Sequence, residues 1–162
     1  MIGVVDSTVL IALEKLGRFE LLAALFDDVV LPIAVLMEVG GLDWLVASRI
    51  LEFVPRVSMS APLRPPPDVP TTLGSGERAV IALAQEHDAV AVLDDRAARA
   101  YARSLGLDVI GTCGLLVEAK RLGCVARVKP IIEALRDKGF RLSPKVVEAA
   151  LSAAGELESD AE

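Results

Sequence analysis

The stretch Ala89–Arg96, AVAVLDDR, decides the fold that the sequence predicts. Small or branched apolar residues end abruptly in two adjacent carboxylates, Asp94 and Asp95. A short apolar run between polar residues is typical of a buried strand in a parallel sheet. The two acids then follow the carboxyl end of that strand, where open α/β sheets place their ligand sites. An alternative is that Asp95 only caps the helix that begins at Arg96 while Asp94 faces solvent.

Segments typical of strands and helices alternate along most of the chain. Further strands are predicted at Ile2–Val5, Val29–Leu31, Val54–Met59 and Asp108–Ile110. Helices are predicted between the strands, and the C-terminal segments Lys129–Lys138 and Lys145–Ala154 are also predicted to be helical. This alternation predicts a parallel sheet flanked by helices, a three-layer α/β/α fold with a helical C-terminal extension.

Length and composition favour one domain with an aliphatic core. The chain has 162 residues, of which 53% are hydrophobic and only 4% aromatic. We expect a single domain over residues 1–155 and a solvated, disordered acidic tail over residues 156–162. Within the domain, the Pro-rich stretch Ser60–Thr72 predicts a surface loop, and Ser75 predicts the N-cap of the helix that follows it.

Composition also disfavours several classes of protein. No apolar run reaches the length of about 20 residues that a membrane span needs, and the start MIGVVDSTVL lacks the basic region of a signal peptide. We therefore expect a cytoplasmic protein without membrane association. One histidine and two cysteines, Cys113 and Cys124, are too few for a Cys/His zinc site. The net charge of −6 leaves only local basic faces for nucleic acid.

Acidic residues recur where a parallel sheet brings distant segments together. Asp6 follows the first strand, Glu38 lies near the end of a helix, and Glu77 lies at the start of another helix. Together with Asp94 and Asp95 they could meet at one edge of the sheet. Carboxylates without histidine or thiolate select hard cations such as Mg²⁺ or Mn²⁺. Each acid also has a structural alternative, as a helix cap, a partner of the helix dipole or a solvated side chain.

At this point the sequence resembles PIN-domain proteins, the VapC-like metal-dependent ribonucleases, and within them a subgroup known as predicted nucleic-acid-binding proteins. The resembling motifs span nearly the whole chain: VVDSTVLIAL, LPIAVLMEV, LGSGERAVIALA, AVAVLDDRAARAYARSLG, DVIGTCGLLVEAKRLG and, for the subgroup, PIIEALRDKGFRLS. One departure is Leu93, where many members have a threonine whose hydroxyl leucine cannot supply.

The resemblance implies a set of site residues. Its catalytic acids fall on Asp6, Glu38, Glu77 and Asp95, and all four would bind metal, with Asp94 able to share the role of Asp95. Ser7 matches the small hydroxyl residue that supports the first acid. The third acid, Glu77, is a glutamate where many members have aspartate.

The resemblance also implies an activity. It predicts an Mg²⁺- or Mn²⁺-dependent endoribonuclease that hydrolyses RNA phosphodiester bonds, as the toxin of a toxin–antitoxin pair. The implied partners are an RNA substrate, a small antitoxin protein and a second copy of the chain in a homodimer. The alternative is a non-catalytic nucleic-acid-binding or regulatory module on the same fold.

Three arginines predict how an acidic protein could hold RNA. Arg96, Arg99 and Arg103 share one helix face and begin beside the proposed metal site, so we expect them to contact phosphates. The alternatives are a solvated basic face on which Arg99 pairs with an acid, or an RNA track elsewhere, along Lys120, Arg121, Arg127 and Lys129.

Overall fold

A five-stranded parallel sheet forms the centre of the protein. The structure is a computed structural model that describes residues 1–39 and 44–157, including side chains except those of residues 44–47. The strands are β1 (Ile2–Val5), β2 (Asp28–Pro32), β3 (Val57–Ser60), β4 (Val90–Val92) and β5 (Val109–Ile110). Their order across the sheet is β3-β2-β1-β4-β5, and every neighbouring pair is parallel. The predicted fold class is confirmed, and β3 lies at the edge as expected.

Helices cover both faces of the sheet and form the C-terminal part. In chain order they are α1 (Ser7–Leu16), α2 (Glu20–Leu25), α3 (Ile33–Glu38), α4 (Trp44–Phe53), α5 (Ser75–His87), α6 (Arg96–Ser104), α7 (Thr112–Arg121), α8 (Lys129–Asp137) and α9 (Pro144–Ala153). None of the helices in the described ranges is long and apolar enough to cross a membrane.

The core is aliphatic, as the composition predicts. Val4 and Val5 of β1 are fully buried because helices cover both faces of the strand. The helix α5 packs against β1, β2 and β4, and its Val80, Ile81 and Leu83 are also fully buried. These contacts fix the start of α5 beside the carboxyl ends of the central strands.

Two predicted boundaries differ from the structure, and a third lies partly outside the described residues. The sequence predicts that Pro32 lies in the first turn of a helix, but Pro32 ends β2 and precedes α3. Gly74, rather than Ser75, is the N-cap residue of α5, and Ser75 is the first residue of the helix. The sequence also predicts a helix over Leu42–Phe53; the structure describes it over Trp44–Phe53, and residues 42 and 43 lie outside the described residues.

The topology reverses direction next to β1. From β1 the chain builds the sheet toward β2 and β3, and it then returns to place β4 on the other side of β1. Such a reversal leaves a crevice at the carboxyl ends of the two strands. Asp6 follows β1 and its backbone N–H donates to the carbonyl of Val92 at 3.0 Å, so the ends of β1 and β4 are held together.

The C-terminal extension is anchored by Glu156, which corrects one expectation. Its side chain is only 6% exposed and accepts hydrogen bonds from Lys120 Nζ (2.8 Å), the Val128 backbone N–H (2.7 Å) and the Lys129 backbone N–H (2.9 Å). Burial alone would raise the pKa of Glu156, but these hydrogen bonds outweigh it and lower the pKa to about 2. Glu156 is therefore not part of a solvated tail; residues 158–162 lie outside the described residues.

Candidate functional site

Asp6 lies at the carboxyl end of β1, at the centre of the crevice. Asp6 is only 2% exposed, and its atom Oδ1 is buried and has no hydrogen-bond partner. The residue stands at the N-cap position of α1, but its side chain makes no capping hydrogen bond. The side chain of Asp6 therefore does not act as a helix cap, contrary to the structural alternative. One of its carboxylate oxygens remains available for another partner.

Other carboxylates act on Asp6. Burial is the main reason that the pKa of Asp6 is raised to about 7, and a backbone hydrogen bond from Ser7 opposes this rise. The negative charges of Glu77, Glu38 and Asp94 raise the pKa further. The fold therefore brings four of the five predicted acids into one electrostatically coupled group.

Glu38 ends α3 and is held by donors from two other helices. Ser7 Oγ donates to Oε2 at 3.0 Å, while Ser75 Oγ and the Gly76 backbone N–H donate to Oε1 at 3.2 and 2.9 Å. Ser7 thus supports the site through Glu38. A Cβ at Gly76 would lie 2.4 Å from Glu38 Oε2, so only glycine leaves the carboxylate in this position.

Glu77 lies in the first turn of α5 and points back over its start. Its Oε2 accepts a hydrogen bond from the Gly74 backbone N–H at 2.9 Å. This is the interaction with the helix N-terminus that the structural alternative for Glu77 predicts. Its charge nevertheless acts on Asp6, so the same side chain belongs to the acidic group.

Asp94 and Asp95 separate into two roles. Asp94 is half-buried and accepts hydrogen bonds from the Thr112 backbone N–H (2.7 Å) and Oγ1 (2.6 Å). Asp95 is exposed, and its Oδ1 accepts from the Ala98 backbone N–H at 2.8 Å as the N-cap of α6. Asp94 therefore does not face solvent: Thr112 holds it and its charge acts on Asp6, whereas Asp95 caps α6.

The donor set fits a hard divalent cation, although no site is ready-made. Within the described ranges, no three His, Cys, Asp or Glu side chains are arranged so that they could hold a metal ion. The reason is that Glu38, Glu77 and Asp94 are each turned toward hydrogen-bond donors of the protein. Asp6 Oδ1, buried and unpartnered, is the atom that a cation would satisfy, and an all-carboxylate set suits Mg²⁺ or Mn²⁺.

A cationic groove begins at Asp94. The groove has a volume of about 480 Å³ and lies between α6 and the start of α9. Its charged lining residues are Asp94, Arg96, Arg99, Arg103, Arg141 and Lys145. The three arginines predicted from the sequence therefore line a single groove, and its cationic lining meets the acidic group at Asp94.

Sequence reasoning missed several residues of the site. Ser75, Gly76 and Thr112 hold the acids in place. Each lies in the first turn of a helix that begins near the carboxyl ends of the strands. Small or hydroxyl residues at such positions are the signal that could have identified them. Arg141 and Lys145 gave no such signal because they come from a distant part of the chain. Cys113 and Cys124 are both free, as expected.

Comparisons with known proteins agree with this architecture. Residues 2–156 match the family model described as PIN domain. A similar solved structure is a PilT N-terminus domain protein from the hyperthermophilic archaeon Sulfolobus solfataricus P2, with 24% identity, a TM-score of 0.56, and coverage of 74% of this chain and 93% of that one. At this identity the likeness concerns the fold alone. No curated protein matches the sequence. Because the family model covers nearly all of the chain, this protein belongs to the PIN-domain family.

Proposed function

We propose that this protein is an Mg²⁺- or Mn²⁺-dependent endoribonuclease that hydrolyses RNA phosphodiester bonds. PIN domains are generally nucleases and typically use divalent metals. The observation that carries the proposal for this chain is the buried carboxylate of Asp6, with an unpartnered oxygen and three further carboxylates close enough to raise its pKa. A fold gains nothing from such an arrangement unless a cation offsets the repulsion.

The residues of the site would divide the work as follows. Asp6, Glu38, Glu77 and Asp94 would hold the cation, and Asp95 could join them only by leaving its cap on α6. When bound, Mg²⁺ or Mn²⁺ supplies the Lewis acidity that activates a water and neutralises phosphate charge. Ser7, Ser75 and Thr112 orient the carboxylates through the hydrogen bonds described above. The carboxylates act as ligands and not as nucleophiles.

Substitution of Asp6 tests the proposal. Asp6→Asn should abolish Mn²⁺-dependent cleavage of a single-stranded RNA and also the rise in Tm on addition of MnCl₂. A cation that binds only the folded state stabilises it by about 2.7 kcal/mol at a hundred times its Kd, which corresponds to roughly 5–10 °C in a domain of this size. Without metal the variant should be as stable as the wild type or slightly more so. Wild-type cleavage by Asp6→Asn would refute the nuclease proposal.

A second candidate is a non-catalytic nucleic-acid-binding module. The observation in its favour is that Glu38, Glu77 and Asp94 already have protein hydrogen-bond partners. This candidate predicts that MnCl₂ leaves the Tm of the wild type unchanged and that RNA is bound but never cut. The two measurements on Asp6→Asn and wild type therefore separate the candidates.

We further propose a toxin role and a homodimer, which the family resemblance supports. Expression of the wild type in a bacterial host should arrest growth, and Asp6→Asn should relieve the arrest. Sedimentation equilibrium should give twice the monomer mass. Harmless expression of a chain that is active in vitro would argue against the toxin role alone.

A further inference from the structure

The cationic side chains that line the groove between α6 and α9 are not paired with carboxylates of the described residues. None of Arg96, Arg99, Arg103, Arg141 and Lys145 forms an ion pair within 4.0 Å with a carboxylate of the described residues. The buried Nε of Arg99 also lacks a hydrogen-bond partner. In a chain with a net charge of −6, gathering cations without pairing them leaves the groove ready for an external anion.

The alternative RNA track has no such freedom. Lys120 is bound to the Ala154 carbonyl and to Glu156, and Arg121 is bound to Glu118. Arg127 lies 4.0 Å from Glu156. Lys120 and Arg127 thus face Glu156, which anchors the C-terminal extension, and Arg121 is paired within α7; this favours the groove as the anion-binding surface.

An apolar cavity adjoins the groove. It has a volume of about 330 Å³, lies between α7 and α9, and shares Asp94, Arg99, Val146 and Ala149 with the groove. Half of its remaining lining residues are aliphatic, namely Ile110, Val117, Ala150 and Ala153, and the others are Gly111, Cys113, Gly114 and Glu118. The volume is at the lower end of the roughly 300–1,000 Å³ that small-molecule pockets have, so it could take one flat ring system.

The two features together fit one class of ligand. A single-stranded nucleic acid carries a negative charge on each unit and, attached to it, a base with an apolar face. A duplex would keep its bases stacked inside, and an acidic peptide or free phosphate would use the cationic groove alone. Asp94 lies at the junction of the acidic group, the groove and the cavity, so a strand bound there would pass the proposed metal site.

We propose that the groove and the cavity form a nucleotide subsite of the proposed ribonuclease. Arg141 and Lys145 of the C-terminal extension contact the phosphate from one side, opposite Arg103 of α6. The attached base enters the aliphatic cavity between α7 and α9. The identity of the substrate as RNA rests on the proposed function, whereas the recognition of a single strand rests on the groove and cavity.

The phosphate part is tested by binding in EDTA, where cleavage cannot interfere. The probe is a fluorescein-labelled ten-nucleotide single-stranded RNA, and binding is followed by fluorescence anisotropy over a range of KCl concentrations. Arg141→Gln/Lys145→Gln should bind roughly tenfold more weakly and lower the salt slope by about 1.4, from about 0.7 per lost contact. The matched control Arg49→Gln/Arg56→Gln removes equal charge from α4 and from the residue before β3, the strand at the opposite sheet edge from β5, and should bind within about twofold of wild type.

The base part is tested by filling the cavity. Ala153 is exposed on α9 and lines the cavity but not the groove, so Ala153→Phe should fold normally. It should weaken binding of the RNA roughly tenfold and leave binding of an abasic ribose-phosphate oligomer of equal length unchanged. Ser152→Phe, an exposed position on the same helix outside both cavities, is the matched control and should bind both probes like wild type.

Each result bears on the proposal. Equal losses in the arginine–lysine variant and its control, or equal losses for RNA and abasic oligomer in Ala153→Phe, would overturn the subsite. So would a poly-aspartate of the same charge that displaces the RNA as well as unlabelled RNA does. If the predicted losses occur but MnCl₂ never supports cleavage, the subsite stands and the nuclease proposal fails. If cleavage depends on Asp6 but the variants bind RNA like the wild type, the nuclease proposal stands and the subsite fails.

Discussion

Single residues in this protein serve the fold and the candidate site together. Glu38 accepts a hydrogen bond from the backbone N–H of Gly76, which lies in the first turn of α5. The N-cap residue of α5 is Gly74, which has no side chain to offer, so a carboxylate from α3 supplies the acceptor that the helix start needs. Any change that frees Glu38 therefore also uncovers the start of α5.

Gly76→Ala is a sharp test of this arrangement. The new Cβ would lie 2.4 Å from Oε2 and 2.8 Å from Cδ of Glu38, so the carboxylate must move. Only the end of a flexible side chain is displaced, so we expect a loss of about 1 kcal/mol in the free energy of unfolding. The MnCl₂-induced rise in Tm should nevertheless be largely lost.

The matched control is Gly74→Ala. Its Cβ would lie 3.8 Å from Glu77 Oε2, an ordinary contact. Differential scanning fluorimetry with and without MnCl₂ should show a normal rise in Tm for Gly74→Ala. An equal rise in both variants would contradict the assigned role of Glu38.

Thr112→Val tests what holds Asp94. Valine keeps the shape of this fully buried residue and the backbone N–H bond to Oδ1, but it removes the 2.6 Å bond from Oγ1 to Oδ2. We expect a loss of about 1.5–3 kcal/mol because the lost hydrogen bond is to a charged group. Urea unfolding measures it, and Thr112→Ser, which retains the hydroxyl, should recover most of the stability.

At the scale of elements, Glu156 connects α9 to the start of α8. The pKa of Glu156 is about 2 in the folded protein and 4.5 when unperturbed, so its contribution to stability is present above pH 4.5 and is lost as the pH falls toward 2. Glu156→Gln should lower the Tm by several degrees at pH 7, since about 1 kcal/mol corresponds to 2–4 °C in a domain of this size.

The pH dependence identifies the cause. The difference in Tm between wild type and Glu156→Gln should shrink as the pH falls from 4.5 to 2.5, measured by circular dichroism. A difference that stays constant over this range would mean that the carboxylate charge is not what anchors α8.

The strands and helices show which parts of the structure could be predicted from the sequence. The strands β1 and β4 and the acids that follow them were predictable because a short apolar run ends at a polar residue. The sequence could not predict which of Asp94 and Asp95 turns inward, because the hydrogen-bond partner of Asp94, Thr112, lies 18 residues later. Glu156 was misassigned because its acidic surroundings resemble a tail, and only packing against α7 and α8 shows its partners.

At the scale of the whole molecule, Asp6 and Glu156 make folding stability depend on pH in opposite directions, because burial raises the pKa of Asp6. The pKa of Asp6 rises from 3.8 to about 7 on folding, so its contribution favours the folded state below pH 3.8 and is lost as the pH rises through 7. In EDTA, the Tm of Asp6→Asn relative to wild type should therefore increase between pH 4 and pH 7.5.

The size of that increase has an upper bound. Three pKa units correspond to roughly 4 kcal/mol. Thermal unfolding at constant ionic strength measures it, with Glu156→Gln as a variant whose relative Tm should change only at the acidic end of this interval, as the pH approaches 4.5 and falls below it. A relative Tm of Asp6→Asn that is flat from pH 4 to pH 7.5 would show that Asp6 is not desolvated in the metal-free protein.

The groove described above has walls of different origin. One wall, α6, follows directly from β4 and is fixed by the sheet that also holds the acids, whereas the other comes from α9, which is joined to the rest through Glu156 and α7. Under the proposed function, the acids and one wall of the proposed subsite would thus reside on segments separate from its other wall. The C-terminal helices of another family member could therefore be grafted onto this chain, with the Lys120–Glu156 pair kept as the joint, to change what the proposed subsite accepts without altering the acids.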